Sequence, residues 1–155
     1  MTQINALLAY GAYLPRHRLQ RAEIAAALGG PAGGQGARVV AAYDEDSTTL
    51  AVEAARRALD GARPQNLYFA TTSPAYVDKT NASAIHAALD LGHEGFAVDI
   101  AGSARGAAGA LKAAAASGGL AIGGDVRTGK PGSADERDGG DGGAAEHFEH
   151  RIDAR

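Results

Sequence analysis

Few residues in this chain have a type and spacing suited to catalysis. The sequence contains no cysteine, which excludes thiol catalysis, disulfides and zinc–thiolate sites. Ser103 precedes an alanine-rich helical segment and carries a hydroxyl that becomes a nucleophile only when a base activates it. The sequence places no histidine near Ser103 to do so. Ser103 is therefore predicted to be the N-cap of that helix.

Four acidic residues cluster on a glycine-rich stretch: Asp135, Glu136, Asp138 and Asp141. Carboxylate oxygens are the ligands that divalent cations prefer, so a loose cation site is one interpretation of this cluster. The four residues do not follow the spacing of an EF-hand loop. A solvated loop is therefore the favoured prediction for this stretch.

The remaining polar motifs match no cofactor site. Lys130 follows Gly129, but Pro131 stands where a phosphate-binding P-loop ends in Ser or Thr. His147 and His150 are three residues apart without the H-E-x-x-H pattern of a zinc-binding helix. These histidines predict a polar tail, and no resident cofactor or metal is expected.

Length and charge restrict the class of protein. A chain of 155 residues fits one domain with a core of its own. The net charge of −3 arises from mixed acids and bases, so no basic surface for nucleic acid or membranes is predicted. No stretch approaches the roughly 18 apolar residues of a membrane span, and the start lacks the pattern of a signal peptide. These features predict a soluble, cytoplasmic protein.

Hydrophobic patterning and capping residues predict alternating strands and helices. Strands are expected at 6–14, 66–71, 96–100 and 120–124, and helices at 22–28, 48–59, 81–91 and 103–116. The helix at 48–59 is the clearest, with Asp46 or Ser47 as its cap and Leu50 on its apolar face. Such alternation predicts an α/β fold with a parallel or mixed sheet. A long loop is expected at 127–143, and the tail EHFEHRIDAR has no predicted partner element.

Five segments occur in an order that is typical of one family: GAYLPRHRL, DEDSTTLAVEAARRAL, LYFATTSPAYVDKTNASAIHAAL, FAVDIAGSARGAAGAL and LAIGGDVRTGKPGSADERDGGDGGAA. Their order and spacing resemble the first half of hydroxymethylglutaryl-CoA synthases and β-ketoacyl synthase III proteins of the thiolase superfamily. The likeness covers roughly residues 9 to 145 and is closest to archaeal and actinobacterial relatives.

The resemblance implies a fold and an assembly. Family members stack two similar βαβαβαββ halves, place the active site between them and are usually dimers. This chain would be one thiolase-like half, a mixed sheet with helices on both faces over residues 1–126, followed by a Gly/Asp-rich loop and polar tail at 127–155. The second half, which carries the catalytic histidine of the family, is not in this sequence.

The resemblance also places the family's catalytic positions. Counting from Asp99, the nucleophilic cysteine of the family falls on Ala104. The catalytic glutamate of the family falls on Thr72, whose hydroxyl cannot act as a carboxylic acid or base at neutral pH. Loss of both groups predicts a protein that forms no acyl-cysteine intermediate. Ser103 and Tyr76 are the weaker candidates for a remaining catalytic group.

Three functional hypotheses follow from the resemblance. The first is an acyl-CoA-binding protein of lipid metabolism that acts with a missing second half or with a zinc-ribbon/OB-fold partner, as a homo- or heterodimer. The second is an active acyltransferase or lyase in which Tyr76 donates a proton. The third is a truncated fragment without independent function. Arg16 and Arg18 are candidates for the CoA phosphate, because arginine suits phosphate oxygens, although a solvated basic turn is the favoured interpretation.

Overall fold

Alternating strands and helices make up the chain. The computed structural model describes residues 2–29 and 35–153, with side chains for 6–29 and 35–149. The strands are β1 (Thr2–Tyr13), β2 (His17–Gln20), β3 (Ala37–Val40), β4 (Asn66–Thr71), β5 (Phe96–Ala101), β6 (Gly119–Asp125) and β7 (Gly142–Asp153). The helices are α1 (Arg21–Leu28), α2 (Ser47–Leu59), α3 (Asn81–Ala88), α4 (Gly106–Ser117) and α5 (Ala134–Asp138). Within the described part of the chain, no helix is long and apolar enough to cross a membrane.

Five strands form one mixed sheet in the order β1-β7-β6-β4-β5. Strand β4 runs parallel to both β5 and β6, whereas β7 runs antiparallel to β6 and β1. The short strands β2 and β3 pair antiparallel in a separate ribbon. Helices α2 and α3 pack on one face of the large sheet and α4 packs on the other. The predicted α/β fold, a mixed sheet with helices on both faces, is confirmed.

The start of α2 is fixed by the predicted cap. The Asp46 carboxylate accepts a hydrogen bond from the Thr49 N–H at 2.8 Å, and the Asp46 N–H donates to the Thr49 hydroxyl at 2.7 Å. Partial burial acts to raise the pKa of Asp46, but hydrogen bonds from Thr48 and Thr49 outweigh it and lower the pKa. This reciprocal arrangement satisfies N–H groups that the first helical turn leaves unpaired. It therefore fixes the residue at which α2 begins, and with it the apolar residues that pack on the sheet.

Close contact between α2 and the sheet depends on glycines in three strands. A Cβ atom at Gly11, Gly124 or Gly143 would lie 2.4–2.5 Å from a carbonyl oxygen of α2. No side chain fits at these positions, so the helix rests directly on the strand backbones. The small-residue composition is therefore a requirement of the close approach between helix and sheet.

Gly124→Ala is expected to lower the free energy of unfolding by about 1–3 kcal/mol, the usual cost of overpacking a core. The added methyl would meet the Ser47 carbonyl oxygen at 2.5 Å, and backbone cannot move aside locally. Gly123→Ala is the matched control, since its methyl would meet no atom closer than 4.0 Å. Chemical denaturation of both variants measures the difference, and equal stabilities would contradict this account of the packing.

The C-terminal segment differs from the prediction. The predicted polar tail was wrong, because residues 142–153 form β7, which lies inside the sheet between β1 and β6. Ala145 and His147 are buried beneath α2. Burial lowers the pKa of His147, and the nearby Glu149 opposes this effect. The sheet therefore hides polar side chains that the sequence alone predicted to be solvated.

Two further boundaries also differ. Strand β1 is continuous from Thr2 to Tyr13, so it begins four residues before the predicted strand at 6–14. A shift in register lies between Leu7 and Ala9. The loop after β6 contains the short helix α5, in which the Ser133 hydroxyl accepts from the Glu136 N–H at 3.3 Å. The loop is thus shorter and more ordered than predicted.

Candidate active site

A cavity of about 530 Å³ opens at the edge of the sheet where β4 and β6 end. Residues at the start of α4 form one wall of this cavity. Residues at the end of the loop that leads into β7 form another. Most lining residues are small or apolar, among them Ala12, Leu14, Ala70, Ala107 and Ala144. Ser103, Ala104 and Thr72 also line it. The two catalytic positions assigned by resemblance therefore share one cavity.

Ala104 lies in the turn immediately before α4. The helix begins at Gly106, and its N-cap is Arg105, whose side chain makes no capping hydrogen bond. The prediction that Ser103 is the N-cap was therefore wrong. The Ser103 hydroxyl instead accepts from the Arg105 N–H at 3.2 Å, and the Ser103 carbonyl accepts from the Gly106 N–H at 2.8 Å. Because of this turn, α4 begins only at Gly106, and Ala104 is exposed just before the helix.

Gly106 brings the helix start close to the sheet. A Cβ atom at Gly106 would lie 2.6 Å from the Ile100 carbonyl oxygen. Glycine at this position therefore lets α4 begin directly against β5, next to the cavity. The N–H groups at the start of α4 would favour negative charge at position 104, yet Ala104 has no group to carry such charge.

Asp99, from which the family alignment was counted, has a structural role. Its carboxylate accepts from the Asn81 N–H at 2.8 Å, the Asn81 side-chain amide at 3.0 Å and the Ala82 N–H at 2.6 Å. These bonds satisfy the first N–H groups of α3. Asp99 thus joins β5 to α3 and does not line the cavity of the described chain.

Thr72 is held by a carboxylate that the sequence did not single out. One oxygen of Asp125, at the end of β6, accepts from the Thr72 N–H at 2.6 Å and the Thr72 hydroxyl at 3.1 Å. The same oxygen accepts from the Thr71 hydroxyl at 2.9 Å and from both the N–H and hydroxyl of Ser73. Asp125 therefore organises the whole turn that follows β4. Asp125 thus places a carboxylate in direct contact with Thr72, the position to which the resemblance assigns the family's glutamate.

Arg127 contacts the same turn from the opposite side. Its guanidinium donates to the Thr72 hydroxyl at 3.2 Å and forms an ion pair with Asp135. The hydrogen bond that the guanidinium donates to the Asp135 carboxylate raises the pKa of Arg127. With its hydroxyl engaged by both Asp125 and Arg127, Thr72 is a fixed part of the wall. Thr72 therefore has no free hydroxyl with which to act as an acid or a base.

The acidic loop is held by a buried ion pair at one end, so the prediction of a solvated cluster was wrong for Asp141, whereas Asp135 and Asp138 are exposed as predicted. Asp141 is only 4% exposed and lies 3.4 Å from the Arg38 guanidinium, itself 7% exposed. Arg38 also donates to the carbonyl oxygens of Asp135, Glu136 and Arg127 at 2.7–3.2 Å. Asp141 further accepts from the Arg127 and Ala41 N–H groups. Within the described residues, no group of three or more acidic, His or Cys side chains is arranged to hold a metal ion.

The remaining predicted residues lie elsewhere. Tyr76 is not among the residues that line the cavity. Its N–H donates to the Asn81 side chain at 2.9 Å, and the Lys79 ammonium lies 3.7 Å from the centre of its ring. Arg16 is exposed, and Arg18 donates to the carbonyl oxygens of Pro15 and His17. None of these three residues is brought to Ala104 by the fold.

The lining of the cavity is mostly apolar, and its few polar groups already take part in hydrogen bonds. Ala104 and Thr72 supply no thiol or carboxyl group to the cavity, and the Ser103 hydroxyl is used as a turn acceptor. The lining combines small apolar residues with Asp125 and Asp141 near one end. Both carboxylates accept hydrogen bonds from donors of the protein, at one oxygen of Asp125 and at both oxygens of Asp141. A mainly apolar cavity with a few fixed polar groups is typical of a ligand site.

The mixed sheet with helices on both faces and the cavity before α4 are what the thiolase resemblance implies for one half of that fold. The chain is similar to the hydroxymethylglutaryl-CoA synthase of Archaeoglobus fulgidus, with 34% identity over 157 residues, which is 90% of this chain and 46% of that protein. The corresponding protein of Pyrococcus furiosus is 34% identical over 151 residues, covering 90% of this chain and 43% of its own length. The resemblance inferred from the five segments is confirmed.

Solved structures confirm the fold. A crystal structure of HMG-CoA synthase complexed with CoA matches 93% of this chain and 41% of its own, with a TM-score of 0.84 and 19% identity. The 3-oxoacyl-(acyl carrier protein) synthase III of Pseudomonas aeruginosa matches 97% of this chain and 51% of its own, with a TM-score of 0.80 and 24% identity. No family model matches the chain. The chain spans about half the length of the curated relatives it matches.

Proposed function

We propose that this protein binds acyl-CoA in the cavity before α4 and does not form an acyl-enzyme. The observation that carries the proposal is the presence of Ala104 and Thr72 on the walls of one 530 Å³ cavity. A ligand space is retained there without the thiol that attacks a thioester or the carboxyl that moves its proton. The scaffold thus supports recognition of the ligand and not its condensation.

The nature of the proposed ligand comes from the relatives, which are named as hydroxymethylglutaryl-CoA synthases, and from a solved HMG-CoA synthase complexed with CoA. The small residues of the lining leave room for a narrow chain such as a thioester arm. Arg16 and Arg18 lie outside the cavity, so the CoA phosphates would need cations that this cavity does not supply. A partner chain is one source of such cations.

The proposal extends to assembly and location. The chain would act with a second thiolase-like half or with a zinc-ribbon/OB-fold partner, as a homo- or heterodimer. Residues 1–126 would form the thiolase-like half domain, with the loop from 127 near the mouth of the site. We place the protein in cytoplasmic lipid metabolism on the same basis, the similarity to hydroxymethylglutaryl-CoA synthases.

Calorimetric titration of the 155-residue chain with acetyl-CoA tests the binding part of this proposal. Heat of binding is expected for the natural chain and is expected to be lost in Ala107→Trp, because Ala107 lines the cavity and the indole would fill it. Ala88→Trp, at an exposed position at the end of α3, is the matched control and should bind as the natural chain does. No binding by the natural chain, or equal binding by Ala107→Trp, would reject the assignment.

Incubation with radiolabelled acetyl-CoA tests the second part. No label is expected to remain on the denatured protein, because the sequence contains no cysteine and, among the described residues, the Ser103 hydroxyl donates no hydrogen bond to a base. A covalent adduct that hydroxylamine removes would show an acyl-enzyme and overturn the non-condensing assignment. Ser103→Ala would then show whether that hydroxyl is the site.

A further inference from the structure

A second cavity, of about 500 Å³, lies at the edge of the sheet opposite the candidate active site. Its walls are the segment that leads into β4 (62–66), the turn between α4 and β6 (117–119) and residues 147–149 of β7. Strand β6 is seven residues long, so the two edges are about 20 Å apart. The two cavities share none of their described lining residues. A ligand in this second cavity would therefore be distinct from one bound before α4.

His147 is a largely buried side chain whose ring has no protein partner. It is 8% exposed and lines the second cavity. Within the part of the chain whose side chains are described, its imidazole makes no hydrogen bond. The fully enclosed side-chain atoms without a partner there are Arg38 Nε, Ser47 Oγ and His86 Nε2, so the His147 nitrogens still reach open space. Because a buried polar group normally has a partner, the second cavity is where a partner for this ring would bind.

The side chains that could meet a ligand in this cavity are mainly hydrogen-bond donors. Arg63 has five N–H groups, and its ion pair with Asp90 uses Nη2 at 2.8 Å on a side chain that is 64% exposed. Burial lowers the pKa of His147, although Glu149 opposes this effect. Near neutral pH the His147 ring is therefore uncharged and carries one N–H donor. Gln65 adds a side-chain amide to the lining.

Acceptor groups around the second cavity already have donors. The Asn66 amide donates to the carbonyl oxygens of Ser117 at 3.5 Å and Gly118 at 3.3 Å, at the end of α4. The Ser117 and Tyr68 hydroxyls share a hydrogen bond of 2.7 Å. Glu149 also lines the cavity, and it takes part in a further interaction within the chain. Among the described residues, an anionic ligand would thus find donors, whereas a cationic ligand would compete for acceptors in use.

Gly119 fixes the floor of the second cavity. Its φ of 119° lies in the region that favours glycine. A Cβ atom at this position would be 2.4 Å from the Asn66 carbonyl oxygen, so the starts of β4 and β6 are in direct backbone contact. The cavity floor is therefore formed before any ligand arrives, and a preformed site loses less conformational entropy on binding.

We propose that the second cavity binds a small oxyanion, a phosphate or carboxylate group, between the Arg63 guanidinium and the His147 imidazole. The planar guanidinium presents paired N–H groups that match two oxygens of such a group. The imidazole N–H would supply a third donor from the buried side. Pro64 and Phe148 also line the cavity and would shield these contacts from water, which strengthens them. This site does not depend on acyl-CoA binding in the other cavity.

A nuclear magnetic resonance titration of the isotope-labelled 155-residue chain tests the site. Inorganic phosphate and malonate are added in separate titrations at constant ionic strength. Saturable shifts are expected for the backbone amide signals of Gly118, Gly119 and Glu149, which line the second cavity. The signals of Ala104 and Ala107, in the other cavity, should not move. A response to phosphate alone or to malonate alone would support the site and identify the oxyanion that it accepts.

Two variants test the proposed donors. Arg63→Gln and His147→Leu should each raise the dissociation constant about tenfold, as expected for the loss of a hydrogen bond to a charged group. Arg56→Gln is the matched control, because Arg56 is 58% exposed, pairs with Glu53 and does not line this cavity. It should bind as the natural chain does.

Two results would overturn the proposal. One is the lack of a saturable shift at the second cavity with either anion. The other is equal affinity of Arg63→Gln and Arg56→Gln for the anion that binds. Because Arg63 is exposed, its replacement leaves the core untouched, so this comparison decides the question even where His147→Leu has unfolded.

Discussion

Arg38→Met is expected to lower the free energy of unfolding by about 3–5 kcal/mol, the cost of leaving a buried charge without its partner. The guanidinium and the Asp141 carboxylate are both nearly inaccessible to water. Removing Arg38 would also leave three loop carbonyl oxygens without their donor. Urea denaturation followed by circular dichroism measures the loss. The loop between β6 and β7 should become open to protease in the same variant.

The exposed pair of Arg63 and Asp90 is the matched control. Their side chains are 64% and 81% exposed, so Arg63→Met is expected to cost about 1 kcal/mol or less. A double replacement of Arg38 by Met and Asp141 by Leu should recover much of the lost stability, because no charge is then buried alone. A loss as small for Arg38→Met as for Arg63→Met would contradict the burial of this pair.

Local patterning predicted the helices and the parallel strands well and β7 poorly. Strand β4 has the predicted bounds, and α2 begins at the predicted cap, because both depend on residues close together in the chain. Strand β7 carries Glu146, His147 and Glu149, whose polarity is typical of a tail. It pairs with β1, which lies at the opposite end of the sequence. Hydrogen bonds between such distant strands leave no periodic signal in either one.

The residues of the candidate site were likewise predicted only in part from the sequence. Ala104 and Thr72 were located by motifs in fixed order, and both line the cavity. Arg38 and Asp141 were not paired by the sequence because 103 residues separate them. The ordered turn at Ser103 was also missed, since a serine before an alanine-rich run equally predicts an N-cap. The run of acidic residues in the loop predicted side chains exposed to solvent. Asp141 is buried because β3, which carries Arg38, packs against this part of the loop.

Asp125→Ala is the second change with a large expected effect, a loss of about 3 kcal/mol in the free energy of unfolding. One charged oxygen of Asp125 accepts from donors on Thr71, Thr72 and Ser73, and a hydrogen bond to a charged group contributes about 1.5–3 kcal/mol. The total stays below the sum of the bonds because the released turn can reach water. Asp138→Ala, on the exposed helix α5, should change stability by about 0.5 kcal/mol or less.

Ligand binding separates this effect from a general loss of stability. Asp125→Asn keeps the size of the side chain and loses the charge, so the turn should persist with about 1 kcal/mol lost. Acetyl-CoA should then bind to Asp125→Asn nearly as well as to the natural chain, and weakly to Asp125→Ala, because Thr72 would leave the cavity wall. Calorimetric titration at a temperature where both variants are folded makes the comparison. Weak binding by both would instead show that the carboxylate charge itself contacts the ligand, and that Asp125 does more than hold Thr72 in place.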